Sequence, residues 1–567
     1  MPAIRRLQAS FTAGELDPAL YAREDVNRYY SGAALMENVL VKPQGGFRRR
    51  PGLRHIFQAD DAMPGHRLVP FAFNTEQTYL LLLTEGRCRV FTEDVLTATV
   101  TGFPHLAPHL ATSAWVQSAD TLLLVHPEWT PQRLRRTGGH SSWTRDAPTL
   151  SNLPTHDYGS GAEPVISATR GWPGAITFHT GRLCLGGFKS RPASLIGSKV
   201  GDFFNFDRGT ALDDEGLYFT IDSDQVNAIH AMRSGRTLQV FTSGGEYAVT
   251  VNPPITPKNF SIAEQTRRGS KRGVPVVEVD GAQIFVQRQG RALREFLFID
   301  TEQAYRADTL SLLASHLIRD PVDMAVRKGS SRDDADHVLI VNADGGVTVM
   351  TTLRSQEVLA FTRWTTPGGS FRSVAVLDDG RVYFTVERAG TIRIERWDDD
   401  LLFDAGVVEP NYPTSTIGGL AHLEGQAVAV NLDGANQDPQ LVAGGAIALP
   451  RAAAGNAQAG LFWQPVVDTL PVAPRMPDGT RIGSAVRIAR VIARVADSGQ
   501  FRIAGNPVAM RRFAAAPASP LDAPPPVLSG DFRVSAIPGW KVRGQVRIDQ
   551  PEAGKLTVLG LVTELRL

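Results

Sequence analysis

A few groups of side chains have residue types and spacings that could do chemistry. In GDFFNFD, Asp202 and Asp207 stand five apart, and ALDDEG adds Asp213, Asp214 and Glu215 shortly after. A carboxylate pair across a sugar bond is what a glycoside hydrolase needs. Phe203, Phe204 and Phe206 between them read instead as core plugs, with the aspartates capping a turn. Asp213, Asp214 and Glu215 are consecutive, whereas a calcium loop places its oxygen ligands on alternate positions. Ser243 in FTSGGEY lacks the Gly-x-Ser-x-Gly frame of a nucleophile elbow, and its glycines suit a hairpin turn between two strands. His105 and His109 would align as metal ligands only on a helix, against which Pro104 and Pro108 argue. Cys88 and Cys184 sit in separate strand-like runs and read as buried, reduced thiols, too few for a zinc site. With no Walker A loop and no H-E-x-x-H, the expectation is a protein that is not an enzyme and takes no metal or cofactor.

The arginines ask a different question. Arg48, Arg49 and Arg50 follow the Gly45-Gly46 turn, and three adjacent guanidinium groups cannot all be buried without partners. They suit either phosphate or bidentate pairing with carboxylates of a neighbouring subunit, and the interface reading is favoured. A second basic cluster, Arg267, Arg268, Lys271 and Arg272 in RRGSKRG, reads as a loop, as does Arg133–Arg136. Solvated charge is the plain reading of both, against a gating or DNA-facing role. With 59 basic and 58 acidic residues, net charge is +1, which disfavours wrapping nucleic acid over the outer surface but not lining a channel with tuned residues. The N-terminus lacks a signal-peptide apolar region and no window is apolar enough to span a bilayer, so synthesis in the cytoplasm without membrane insertion is expected.

What must position these residues is almost entirely β. Short apolar or alternating runs such as TYLLLLT (Thr78–Thr84), TLLLVHP (Thr121–Pro127) and RVYFTVERAGTIRIERW (Arg381–Trp397) are broken by Gly, Asp and Pro turns. Strand groups start near Leu68, Trp115, Ala175, Ala228, Val274, Val322 and Phe371, a spacing of roughly 45–60 residues that falls near the ~40–50-residue period of propeller blades. The expected fold class is all-β: a β-propeller-like core of six to seven blades over residues 59–403, with an N-terminal assembly arm and additional C-terminal β modules. Stacked β-sandwiches are the alternative. Residues 1–58 form the arm, with a short helix suggested by the spacing of Tyr29, Tyr30, Leu35, Met36 and Val39. Phe11, Leu16, Leu20, Tyr29 and Tyr30 give this arm apolar surface without the length for a core, so they are expected at an assembly interface with Glu15 and Arg48–Arg50. Residues 404–470 read as a small β module, and 471–567 as a C-terminal β domain interrupted by a Pro-rich strap, Ala514–Val527.

Several motifs together resemble a known family. The opening FTAGELDP (Phe11–Pro18), YYSG (Tyr29–Gly32) and PQGGFRRRPG (Pro43–Gly52) are similar, in order and spacing, to the N-terminus of tailed-bacteriophage tail nozzle proteins, also called tail tubular protein B, of short-tailed phages. Further blocks continue the resemblance: GWPG, RLCLGGFKSRP, GSKVGDFFNF, SDQVNAI and FTSGGE between Gly171 and Glu246, FVQRQGRALREFLF (Phe285–Phe298), and the C-terminal PPPVLSGDF and LTVLGLVTEL. The resemblance covers most of the chain and is weakest over 404–470. It implies a virion structural protein located in the phage tail. Such a protein would be a ring, a hexamer in the family, below the portal and its adaptor protein and contacting tail fibres or other tail proteins. Phage DNA would pass through its lumen without sequence specificity, and loops such as Arg267–Gly273 and Gly329–Asp336 would gate it. A receptor-binding or fibre-docking protein at the tail tip is the alternative, and a propeller hydrolase acting on bacterial glycans the third.

Overall fold

The computed structural model describes residues 3–59, 63–159, 161–249, 255–329, 335–472, 475–476, 479–480, 485–508, 524–535, 537, 539–540 and 543–566. Most of the Pro-rich strap and the middle of the Gly329–Asp336 loop lie outside these residues.

The chain is built around a seven-bladed β-propeller. Six blades are consecutive four-stranded antiparallel meanders, beginning with innermost strands His66–Ala72, Ala114–Ser118, Ala175–His179, Ile229–Ser234, Val277–Val279 and Pro321–Arg327. The seventh has three consecutive strands, Gly369–Val376, Val382–Arg388 and Thr391–Asp398, and takes its fourth from far upstream. Gly52–Gln58 pairs antiparallel with Thr391–Asp398, in a register running from Gly52 opposite Asp398 to Gln58 opposite Arg393. The ring is thus zipped shut by a strand that the sequence reading had assigned to the arm; its partner is more than three hundred residues away, beyond any local pattern.

Thr78–Thr84, the second strand of the first blade, is buried along its whole length, which explains its uninterrupted TYLLLLT run: a blade in the ring packs both faces against neighbours. One buried apolar cluster sits between each successive pair of blades. Leu83 and Cys88 meet Leu122 and Leu134 between the first and second, and Leu123 meets Leu183 between the second and third. Cys184 meets Met232, and Phe241 meets Phe285, across the next two seams. Ile284 meets Met324 between blades five and six, Trp364 meets Phe384 between six and seven, and Leu82 meets Ile394 between one and seven. Each blade therefore depends on both neighbours for a core.

Apart from a two-stranded ribbon, Thr155–Asp157 with Ala162–Pro164, between blades two and three, the larger added sheets extend from the outer edges of blades six and seven. Blade six continues through Gly14–Glu15 and Gly32–Glu37 of the arm, then Val466–Thr469 and Arg547–Asp549, into a ten-stranded sheet. Blade seven continues through Asp404–Val408, Ala457–Leu461, Ala427–Leu432 and Ala435–Leu441, the last four strands forming a small module with its own core around Leu423 and Val430. A six-stranded C-terminal sheet has Arg487–Ser498 and Thr557–Arg566 at its centre and takes in Ala3–Gln8, Val39–Val41 and Phe47–Arg49 from the arm.

The arm differs from its sequence reading. The expected helix is a 3-10 turn at Asn27–Ser31 followed by strand, because Met36 and Val39 are drawn into the C-terminal core and Gly32–Glu37 into a sheet. Near His109 the error runs the other way. Ala107–Leu110 is a single helical turn, tolerated because Pro108 lies at its start, where no intrahelical N–H bond is required.

Candidate functional site

Two places gather charged side chains into defined geometry: the junction where the arm meets blades six and seven, and the mouth of the propeller axis.

At the junction, the arm's first motif lies against blade six. Gly14, with φ of +69°, approaches so closely that a Cβ would sit 2.3 Å from the Phe361 amide nitrogen, so glycine is required there. This approach buries Glu15 completely; its carboxylate accepts from the Met36 amide at 2.8 Å, from His316 Nε2 at 2.8 Å and from the Arg363 guanidinium. Burial pushes the Glu15 carboxyl up, but the His316 and Arg363 hydrogen bonds outweigh it and hold the group below its ordinary value. Phe11 packs edge-on against Phe47, with ring centroids 4.9 Å apart, in the C-terminal core.

The arginine run closes the junction. Arg50 forms a fully buried bidentate pair with Asp404, at 2.9 and 2.6 Å, while its Nε donates to Asn38 Oδ1 at 3.0 Å and a terminal nitrogen to the Thr365 carbonyl at 2.9 Å. Asn38 is held in the left-handed region, φ 55°, where asparagine is among the tolerated residues. Asp404 also accepts from Thr366, which receives a bond from Arg388; Arg388 in turn pairs with buried Glu395 at 2.8 Å. The guanidinium groups of Arg49 and Arg50 lie 3.9 and 3.8 Å from the Trp463 ring centroid. Arg49 donates to the Leu402 carbonyl at 2.6 Å, and burial, helped by the neighbouring Arg50, pulls it down to about 9. Arg48 faces outward and pairs with Asp399 at 2.9 Å.

These contacts revise the expected assembly residues. Phe11, Glu15, Leu16, Tyr29, Arg49 and Arg50 are buried by their own chain, and the carboxylates that meet Arg48 and Arg50 are Asp399 and Asp404 of the same chain. Neither phosphate nor a second subunit reaches Arg49 or Arg50 in this arrangement. Arg50 was readable as needing a partner, but Asp404 is 354 positions away and nothing local points to it. Tyr30 remains exposed, with the Arg6 guanidinium 5.2 Å from its ring.

The Arg267–Gly273 loop crosses from blade four to blade five and is pinned along its length. The Ser270 amide donates to the Thr242 carbonyl at 2.8 Å, Lys271 to Val286 at 2.9 Å, and Arg288 returns a bond to Gly269 at 2.9 Å. Arg267 pairs at the surface with Glu264 and Asp224, and Lys271 with Asp320 at 2.6 Å. The Arg268 side chain is exposed while its amide donates to buried Glu246 at 3.3 Å. Arg272 projects toward the axis. This loop is a braced connection rather than a free flap.

The axis itself is obstructed on one side. Arg67 of the first innermost strand pairs with Asp323 of the sixth at 3.3 Å, and Asp323 accepts from Ser373 of the seventh at 2.5 Å. Arg67 also donates to the Ala111 and Gly273 carbonyls, at 2.8 and 3.0 Å. On the other side, between the innermost strands of blades one to four and the approach to blade five, a cavity of about 280 Å³ opens.

The other residues singled out for chemistry fall elsewhere. Asp207 caps a turn through the Gly209 amide at 3.0 Å, and Phe206 is buried beneath it. The Ser243 hydroxyl exchanges hydrogen bonds with the Val226 carbonyl and Ala228 amide. His109 stacks on His126, centroids 4.6 Å apart. Both cysteines are buried between blades, their thiols pushed up to about 12 by burial. Among the described residues, no group of three or more His, Cys, Asp or Glu side chains could hold a metal ion.

No protein-family model matches the sequence, and comparison with curated proteins gives no match. Among solved structures, the chain is similar to BBS1N in complex with ARL6DN, with TM-score 0.37 and 10% identity over 62% of this chain and 98% of that one. It is similar to the Neurospora crassa Pan2 WD40 domain, with TM-score 0.35 and 11% identity over 62% and 96%. The RRP9 WD40 repeats give 0.37 and 10% over 62% and 100%.

Proposed function

We propose that this protein is a structural subunit of a bacteriophage tail, forming a nozzle ring that continues the DNA channel and helps retain the genome until release. The observation that carries this reading is the block from Phe11 to Gly52, on which the resemblance to tail nozzle proteins rests most specifically. Its residues fasten three bodies together: Glu15 to blade six, Arg50 to the module through Asp404, and Phe11 and Phe47 to the C-terminal core. Arg49 and Arg50 are consumed in the fastening, so they do not serve as a DNA surface.

The obstruction of the propeller axis by Arg67, Asp323 and Ser373 bears on where DNA would run. Duplex DNA would pass through a lumen shared between copies, six by the family resemblance, and not through any single propeller. The braced Arg267–Gly273 loop makes a poor gate, so retention would rest on movement between subunits or on loops elsewhere. Virus particles lacking this subunit should package DNA and then lose it. If they retain DNA and fail only at adsorption, the tail-tip receptor-binding reading replaces this one.

A further inference from the structure

The cavity at the propeller axis has a composition that structural packing does not account for. Its apolar floor is the partly exposed Trp115, whose ring lies 4.9 Å from the Arg67 guanidinium, over buried Phe188 and Met232 from two further blades. Its wall carries the basic side chains Arg67, Lys189, Arg233 and Arg272 and a single carboxylate, Glu128. Two of the cations are compensated: Arg67 by Asp323, and Lys189 by Glu128 at 2.5 Å. The other two are not. Arg233 is half-buried and spends its Nε on the Val276 carbonyl at 2.8 Å, leaving its terminal nitrogens without a partner among the described residues. Arg272, at the end of the braced loop, is exposed and lines the cavity without an ion pair among the described residues. Desolvation pulls the Arg233 guanidinium below its ordinary value, with Glu278 acting the other way but not in contact.

A guanidinium whose terminal nitrogens have no acceptor in a partly desolvated space is a cost that packing alone does not explain. An anion in the cavity would supply that acceptor, and a guanidinium fork matches carboxylate or phosphate geometry. The volume of about 280 Å³ lies near the lower end of small-molecule sites. We propose that the axial cavity binds a small organic anion: a carboxylate or phosphate held by Arg233 and Arg272, with an apolar body beside the partly exposed Trp115.

The two parts of this ligand can be tested separately by isothermal titration calorimetry on the full-length chain. The probes are 2-naphthoate, 2-naphthyl phosphate, neutral 2-naphthamide and inorganic phosphate. The naphthyl anions should bind at least about tenfold more tightly than either the neutral amide or inorganic phosphate alone. Arg272→Gln, on an unpaired exposed side chain, should weaken the anions about tenfold without moving the melting temperature, and Arg233→Gln should do the same. Because Arg233 is half-buried, Arg233→Lys provides a second variant, which keeps the charge and loses the fork and should fall between wild type and glutamine. Absence of binding by both naphthyl anions up to about 1 mM, equal binding of the amide, or wild-type affinity in both glutamine variants would each overturn the assignment.

Discussion

Arg50 and Asp404 form a pair whose value depends on both members being present. Each is fully buried, so removing one leaves the other as an uncompensated charge in a dry junction. Asp404→Asn should therefore destabilise the chain by roughly 3–5 kcal/mol in denaturant unfolding. Arg48→Gln breaks a solvent-exposed pair with Asp399 and should cost less than about 1 kcal/mol. Equal costs for the two would contradict the description of Arg49–Arg50 as internal fasteners. The buried histidines set a second residue-scale expectation. Burial holds His55 down at about 2, His337 at about 3 and His422 at about 4, and the rings of His55 and His422 stack 3.6 Å apart. Below about pH 6.5 the unfolded chain takes up protons at these positions and the folded chain does not. Stability is thus complete above that pH and falls as the medium is acidified toward pH 4, by up to about 1.4 kcal/mol per pH unit for each group. Denaturant midpoints at several pH values should show this slope, and His55→Phe should remove one proton's share of it. A flat profile between pH 7 and 5 would count against neutral buried rings.

Among the elements, the closing strand Gly52–Gln58 carries the most weight for the propeller. Two truncations separate it from the rest of the arm. Removing residues 1–51 deletes the fasteners but keeps the strand, whereas removing 1–58 also leaves Thr391–Asp398 as an open edge. Amide exchange along Thr391–Asp398 should stay slow in the first variant and become fast in the second; equal protection would show that the zipped edge is dispensable. Both variants should expose the C-terminal core, since Phe11, Met36 and Phe47 are part of it. The blades themselves were legible. Six of the starting points read from turn grammar, from Leu68 to Phe371, fall within an innermost strand or one residue before it, and Val274 lies three residues before its strand. The strand signals are local, and a buried blade strand declares itself by its apolar run. What was not legible is what depends on contacts distant in sequence: the fourth strand of blade seven, the partner of Arg50, and the burial of Phe11, Leu16 and Tyr29. Apolar residues in a short arm look the same whether they await another subunit or their own C-terminal sheet. The axial cavity was equally hidden, because its basic residues come from positions 67 to 272 and only the fold assembles them.

At the scale of the whole molecule, the propeller, module and C-terminal sheet are joined along one side, around blades six and seven, while no further strand pairs with the outer edges of blades one to five among the described strands. The axis, obstructed on one side by Arg67, Asp323 and Ser373, offers no continuous path through the individual propeller. The proposal that copies of this chain surround a shared channel in a phage tail can be checked by a cryo-EM reconstruction of the tail in DNA-filled virions. The map should show a closed ring of this subunit on the tail axis, with DNA density or its constriction in the shared lumen and none along the propeller axes. A trimer projecting from the tail tip, or absence of the chain from the tail axis, would contradict the proposal.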